Sequence, residues 1–242
     1  MARIFLVLAP CALGLLAVNL VIGLSIGDLN GVSRRLVESR RALSALQVRG
    51  GAAASELDQA HAAIDEASTA YRPVRDRYRW HSLCGIAASL VTVFVNSVVV
   101  TYFIGTSRWC REVVETYQMP VELAARSQRL KRRTFPWALV GLAVILAIIT
   151  LGASSDPGAN YDNGAAYVTF HFLAAAGGLA VLAVAFWNQF VNIAANYDII
   201  EEILGRVRDA QSERASAPNG DRPSAAREDE PYHHASLRPA RP

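Results

Sequence analysis

The fold class this sequence predicts is all-α: a four-helix polytopic membrane protein with an extracytoplasmic antiparallel coiled-coil hairpin between helices 1 and 2. Three observations predict it. Residues 4–26, 82–106, 135–155 and 163–197 are apolar runs without a single charged side chain, and each supplies the ~20 residues that a helix needs to cross a ~30 Å hydrocarbon core. All four tryptophans fall near the ends of those runs: Trp80, Trp109, Trp137 and Trp187. That is where an amphipathic indole settles between lipid and water. Between the first two runs, apolar residues recur in alternating steps of three and four. By residue the expected division is 1–27, 28–80, 81–106, 107–134, 135–155, 156–165, 166–212 and 213–242.

The first run follows Arg3 and is too long for a signal-peptide core, so it reads as an uncleaved anchor. Leu29, Val32, Leu36, Ser39, Leu43 and Leu46 then form one seam, and Leu57, Ala60, Ile64, Ala67, Tyr71, Val74 and Tyr78 form another. Such seams bring two helices together side by side. Gly50-Gly51 supplies the reversal between them, and Ser55 with Asp58 resembles a capping box for the return helix. At 1.5 Å per residue the hairpin projects about 30 Å. Leu36, Leu43, Ile64 and Tyr71 are the residues expected to hold it together and to meet a partner. Residues 27–31 and Pro73 are helix breakers at similar distances from the tip, where membrane helix passes into soluble helix.

The second run carries Gly85, Ser89, Thr92 and Asn96 on one helix face. In lipid such a face turns toward protein, and Asn19 lies at the depth of Ser89 and Thr92, so a hydrogen bond across the first two spans is expected. The next loop is expected to be two helices. The first has Trp109, Val113 and Tyr117 on one face; the second starts at Met119-Pro120 and ends in Arg129, Lys131, Arg132 and Arg133. That cluster would attract anionic lipid headgroups, at about 1 kcal/mol per charge near the surface. The fourth run offers small residues at 174–178 and asparagines at 188, 192 and 196, the latter read as a solvated face. Gly23 and Gly27 have GxxxG spacing, a further helix-packing signal. Beyond about Ser212 the composition turns to Pro, Ser, Ala and charge, which cannot bury a core.

Orientation follows the basic residues. Nine of the 24 lie in the first long loop and the other fifteen on the side of the N-terminus. Both termini are therefore expected in the cytoplasm, with the chain resident in the cell membrane.

The absences narrow the function. No acidic or basic side chain interrupts a span, although such residues mark ion and proton paths. There is no P-loop, Gly-x-Ser-x-Gly or His-Glu-x-x-His, and no soluble segment is large enough for a catalytic domain. Cys11, Cys84 and Cys110 form no Cys-x-x-Cys pair. The loop at 156–163 has oxygen ligands but Tyr167 stands where a calcium loop closes with Glu. No catalytic residue, cofactor, metal ligand or nucleic-acid partner is expected. The leading expectation is a non-catalytic accessory or scaffold subunit whose hairpin holds a membrane-protein partner or a second copy, in contact with the lipid bilayer. The alternative is a small oligomeric transporter or channel lined by Ser89, Thr92 and Asn96. A third reading, a haem-bearing redox subunit, would rest on His81 and His171, which lie at compatible depths.

Overall fold

A computed structural model describes residues 2–156 and 164–216. These form five helices: α1 (Ala2–Leu24), α2 (Leu29–Arg49), α3 (Ala54–Thr116), α4 (Val121–Ser154) and α5 (Gly164–Ser216). Four of them, α1, α3, α4 and α5, are long and apolar enough to cross a membrane, as a membrane protein requires. Residues 157–163 of the loop expected at 156–165, and the tail from 217 with His233 and His234, lie outside the described residues.

The chain divides into two compact units, 1–203 and 204–242. In the second, the last turns of α5 are closed by the Arg208 Nε donating to Leu204 O and the Ser212 Oγ donating to Asp209 O. All that follows concerns the first.

The outgoing and returning connections beside the first span differ. The outgoing one is broken: α1 stops at Leu24, Gly27 takes a left-handed φ of 81°, and Asp28 caps α2 by accepting from Gly31 N at 2.8 Å. Gly27 is thus a turn residue at which a built Cβ would meet nothing within 4 Å, not half of a packing motif with Gly23. The returning one is unbroken, because α3 runs 63 residues through Pro73. Proline there removes one ladder hydrogen bond; both Pro73 and Thr69, whose carbonyl loses its donor, are exposed, so water can take that bond. The return helix opens at Ala53, whose N–H donates to the Glu56 carboxylate at 3.1 Å, rather than through Ser55 and Asp58.

α2 and the start of α3 lie side by side. Arg49 pairs with Glu56 at 3.2 Å at one end, and Arg77 donates to Ser25 O at 2.9 Å at the other. Every seam residue from Leu29 to Tyr78 named above is half-buried or, for Leu36, buried, while nearly all their neighbours are exposed.

Within the bundle, Phe5, Ala9 and Ala12 of α1, Val95, Val99 and Phe103 of α3, and Phe186 and Ile193 of α5 form one apolar core. Phe5 meets Phe186 edge to face at 6.0 Å. α3 continues past the apolar run, burying Ser107, Cys110 and Val114. The inward line of this segment is thus Cys110–Val114, with Trp109, Val113 and Tyr117 half-buried beside it. The chain then reverses through Gln118, and α4 begins after Pro120 and passes without interruption into its own apolar run.

Candidate functional site

Three polar clusters lie between the helices, and α3 contributes to each. The middle one is built on the small and polar stripe. Gly85 and Ser89 are half-buried; Thr92 and Asn96 are fully buried. Ser89 and Thr92 satisfy their hydroxyls on their own helix, donating to Gly85 O and Ala88 O. Asn96 Nδ2 donates to Thr92 O at 2.9 Å, and its Oδ1 accepts from Gln189 Nε2 of α5 at 3.0 Å. The amide fits because α4 presents Gly141: a Cβ there would lie 2.9 Å from Asn96 Oδ1. Gln189 is fully buried, and its Oε1 has no partner among the described residues.

Asn19 does not reach Ser89 or Thr92. Its amide packs on Gly85, where a Cβ would stand 3.0 Å from Nδ2, and its buried Oδ1 has no partner among the described residues. The side chains that could have answered it are already bonded to their own backbone. The bond that crosses these two helices uses the carbonyl of Asn19 instead, with His81 Nδ1 at 3.1 Å.

The second cluster sits where α3, α4 and α5 continue beyond the core. Asn196 is fully buried, not solvated: its Oδ1 accepts from Ser127 Oγ at 2.8 Å, and its Nδ2 donates to Tyr102 OH and Thr106 Oγ1, each at 3.1 Å. Since Ser127 spends its proton on Asn196, Ser107 must be the donor in the 3.3 Å contact between the two serines. The three asparagines do not form one ladder. Each step of four residues advances 400°, so Asn188 and Asn196 diverge by about 80°. Asn188 and Asn192 remain partly exposed. Burial pushes the neighbouring Cys110 thiol above its ordinary pKa, against a smaller opposing effect of a hydrogen bond with Ser127.

The third cluster, nearer α2, joins His81 and His171, whose ring centres are 6.0 Å apart and nearly perpendicular at 82°. Next to them the Tyr78 hydroxyl donates to the Asp156 carboxylate. Burial, and then that carboxylate, push the Tyr78 pKa from 10.0 up to about 12. A raised pKa means that the neutral, bonded form is the one folding favours. This contribution is complete below the ordinary value near 10.0 and is lost as pH climbs through about 12. A tyrosinate absorbance titration should find one hydroxyl that ionises last, and Tyr78→Phe should remove that late step. A late step that survives in Tyr78→Phe would contradict the assignment.

The remaining sequence candidates lie elsewhere. Leu36 is buried, and Leu43, Ile64 and Tyr71 are half-buried along the α2–α3 seam. On α4, Arg129, Arg132 and Arg133 are exposed, Lys131 stands 6.0 Å over the Phe135 ring, and Arg126 pairs with Glu202 of α5 at 2.8 Å. A groove of about 530 Å³ runs over Phe94, Thr101, Gly105 and Trp109 on α3, away from the buried stripe.

Sequence reasoning missed Gln189, Tyr102, Thr106, Ser107 and Ser127. The stripe did hold a signal for Ser107, since from Asn96 it runs on in steps of three and four through Val99, Phe103, Ser107, Cys110 and Val114. No known family model, curated protein or solved structure matches this chain.

Proposed function

We propose that this chain is a non-catalytic membrane subunit that holds a partner through an extracytoplasmic coiled-coil hairpin made by α2 and the start of α3. The observation that carries the reading is the covering of that seam. Of its residues only Leu36 is buried; Leu43, Leu46, Ile64 and Tyr71 remain half open, and off the seam Val37 and Val48 are exposed outright. Two helices alone leave a groove on each side of their seam, and a further amphipathic helix can fill it. Charge adds selectivity. Arg34, Arg35, Arg40, Arg41 and Arg49 lie on α2, whereas Glu56, Asp58, Asp65 and Glu66 open α3. Near the hairpin tip the two flanks of the groove are therefore of opposite sign, while Arg72, Arg75, Arg77 and Arg79 make α3 basic nearer the span, a pattern that suits a partner helix of matching charge.

In this reading both termini are cytoplasmic, and Arg129, Arg132 and Arg133 rest among anionic headgroups. The partner is a membrane protein or a second copy of this chain. The channel alternative draws less support, because Thr92 and Asn96 are fully buried and Asn96 packs on Gly141 and bonds Gln189. Were they a lining, Asn96→Leu would change flux in reconstituted vesicles.

The test is native mass spectrometry of complexes drawn from the protein's own membrane in mild detergent. The expected result is a heteromeric or dimeric mass that Leu43→Asp with Ile64→Asp abolishes while membrane insertion persists. Undiminished capture by the double variant would sink the proposal.

A further inference from the structure

The His81–His171 pair is built twice in the same way. On α1 and α3, the His81 ring lies over Gly23, where a Cβ would be 3.0 Å from Cε1, and its Nδ1 is 3.1 Å from Asn19 O. On α4 and α5, the His171 ring lies over Gly152, again 3.0 Å from Cε1, and its Nδ1 is 3.1 Å from Ile148 O. In both, the carbonyl belongs to the residue four before the glycine. The glycines admit the rings, and the carbonyls set their chemistry. A carbonyl only accepts, so each Nδ1 must carry the proton, and each Nε2 is left with a lone pair. This is the arrangement by which a protein prepares imidazole as a metal ligand, with the second nitrogen anchored to a carbonyl.

We propose that His81 and His171 together bind one cuprous ion through their Nε2 atoms. The rings stand edge to face, and the site requires both Nε2 atoms to turn toward one ion. Two metal–nitrogen bonds of about 2 Å, with about 1 Å from each nitrogen to its ring centre, span about 6 Å, against the 6.0 Å observed. The donor count selects the ion. Among the described residues no third His, Cys, Asp or Glu joins the pair in a metal-holding group. Zinc, which asks for four ligands, is poorly served, whereas two imidazoles suffice for Cu(I), and imidazole suits copper. The nearest thiol, Cys84, points to Leu15 O at 3.9 Å. Haem fits less well. The small positions following each histidine, where a macrocycle would enter, are filled: Gly85 by Asn19, and Gly178 by Val144 and Ile148, the nearest atoms 2.8 Å from a built Cβ. One turn further out, Tyr78 and Asp156 tie α3 to the end of α4 again and hold the two half-sites together.

The test uses the full chain in mild detergent, with His233→Ala and His234→Ala to remove the competing pair in the tail. Cu(I) is supplied anaerobically as its bicinchoninate complex, and the copper withdrawn is counted per chain. One equivalent is expected. His81→Gln and His171→Gln should each lose it, whereas His61→Ala, on the exposed flank of α3, should keep it. X-ray absorption of the loaded parent protein should give two nitrogen neighbours and no sulfur, an answer that stands even where a histidine variant fails to fold. No bound equivalent, an equivalent retained in either glutamine variant, a sulfur neighbour, or three or more ligands would each overturn the assignment.

Discussion

Gly141→Ala should lower the unfolding temperature by roughly 5–15 °C, the shift that about 2–4 kcal/mol produces in a chain of this size. The new methyl would stand 2.9 Å from Asn96 Oδ1, 3.0 Å from Nδ2 and 3.2 Å from Cγ, so the whole amide is in its way. Asn96 cannot simply swing aside. It is fully buried, and moving it surrenders both its bond to Thr92 O and the bond it accepts from Gln189. Gln189 would then have neither of its amide atoms paired, since its Oε1 already lacks a partner among the described residues. In a fully buried site each orphaned polar group costs about 1–3 kcal/mol. Gly14→Ala is the control: nothing lies within 4 Å of that position, so the unfolding temperature should hold or rise slightly. A thiol-reactive dye reads the transition, because Cys110 is buried until the helices part. Cys11→Ala and Cys84→Ala would remove the background from the other two thiols. Equal transitions for Gly141→Ala and Gly14→Ala would mean that the Asn96–Gln189 contact does not close the bundle.

Asn196→Leu should cost about 2 kcal/mol, several-fold more than Asn188→Leu. Asn196 bonds one side chain of α4 and two of α3, so its loss strands donors and acceptors on both. Among the described residues Asn188 bonds only Val184 O on its own helix, and leucine there leaves nothing stranded among them beyond that carbonyl. Individual polar contacts between membrane helices average only about 0.6 kcal/mol, so the expected loss is a sum over three bonds. Unfolding both variants in a graded denaturing detergent, with the same dye, compares them directly. A smaller loss for Asn196→Leu than for Asn188→Leu would show that the buried cluster tolerates its own dissolution.

Particular residues mark how far the sequence could be read. Asn96 stood out because Gly85, Ser89 and Thr92 precede it on one face, a pattern that names the inward side of a helix in lipid. Gln189 did not stand out. Its position between Asn188 and Phe190 looks no more inward than theirs, and only the azimuth of α5 against α3 puts it on Asn96. The regular spacing of Asn188, Asn192 and Asn196 misled, because regularity of four residues is not fidelity to one face. Pro73 and the 27–31 segment looked alike as breakers, yet only the second ends a helix. There Gly27 adopts a left-handed φ and Asp28 offers a cap, while Pro73 subtracts one bond from a ladder that continues on both sides. His81 and His171 were legible in depth, since rise per residue is fixed by the helix, but depth says nothing of lateral distance.

By itself, the sequence determined the all-helical class and the number of long apolar helices. These depend on local quantities: length against hydrocarbon thickness, the periods of three and four, and the conformational needs of glycine and proline. Only the tertiary structure decided which helix faces meet. It placed Gly141 under Asn96, gathered Asn196 with Ser127, Tyr102 and Thr106, and brought His81 within 6.0 Å of His171. The reason is that an apolar helix in lipid has no strongly preferred azimuth. A few glycines and amides far apart in the chain set its rotation, and their pairing exists only once the helices have packed.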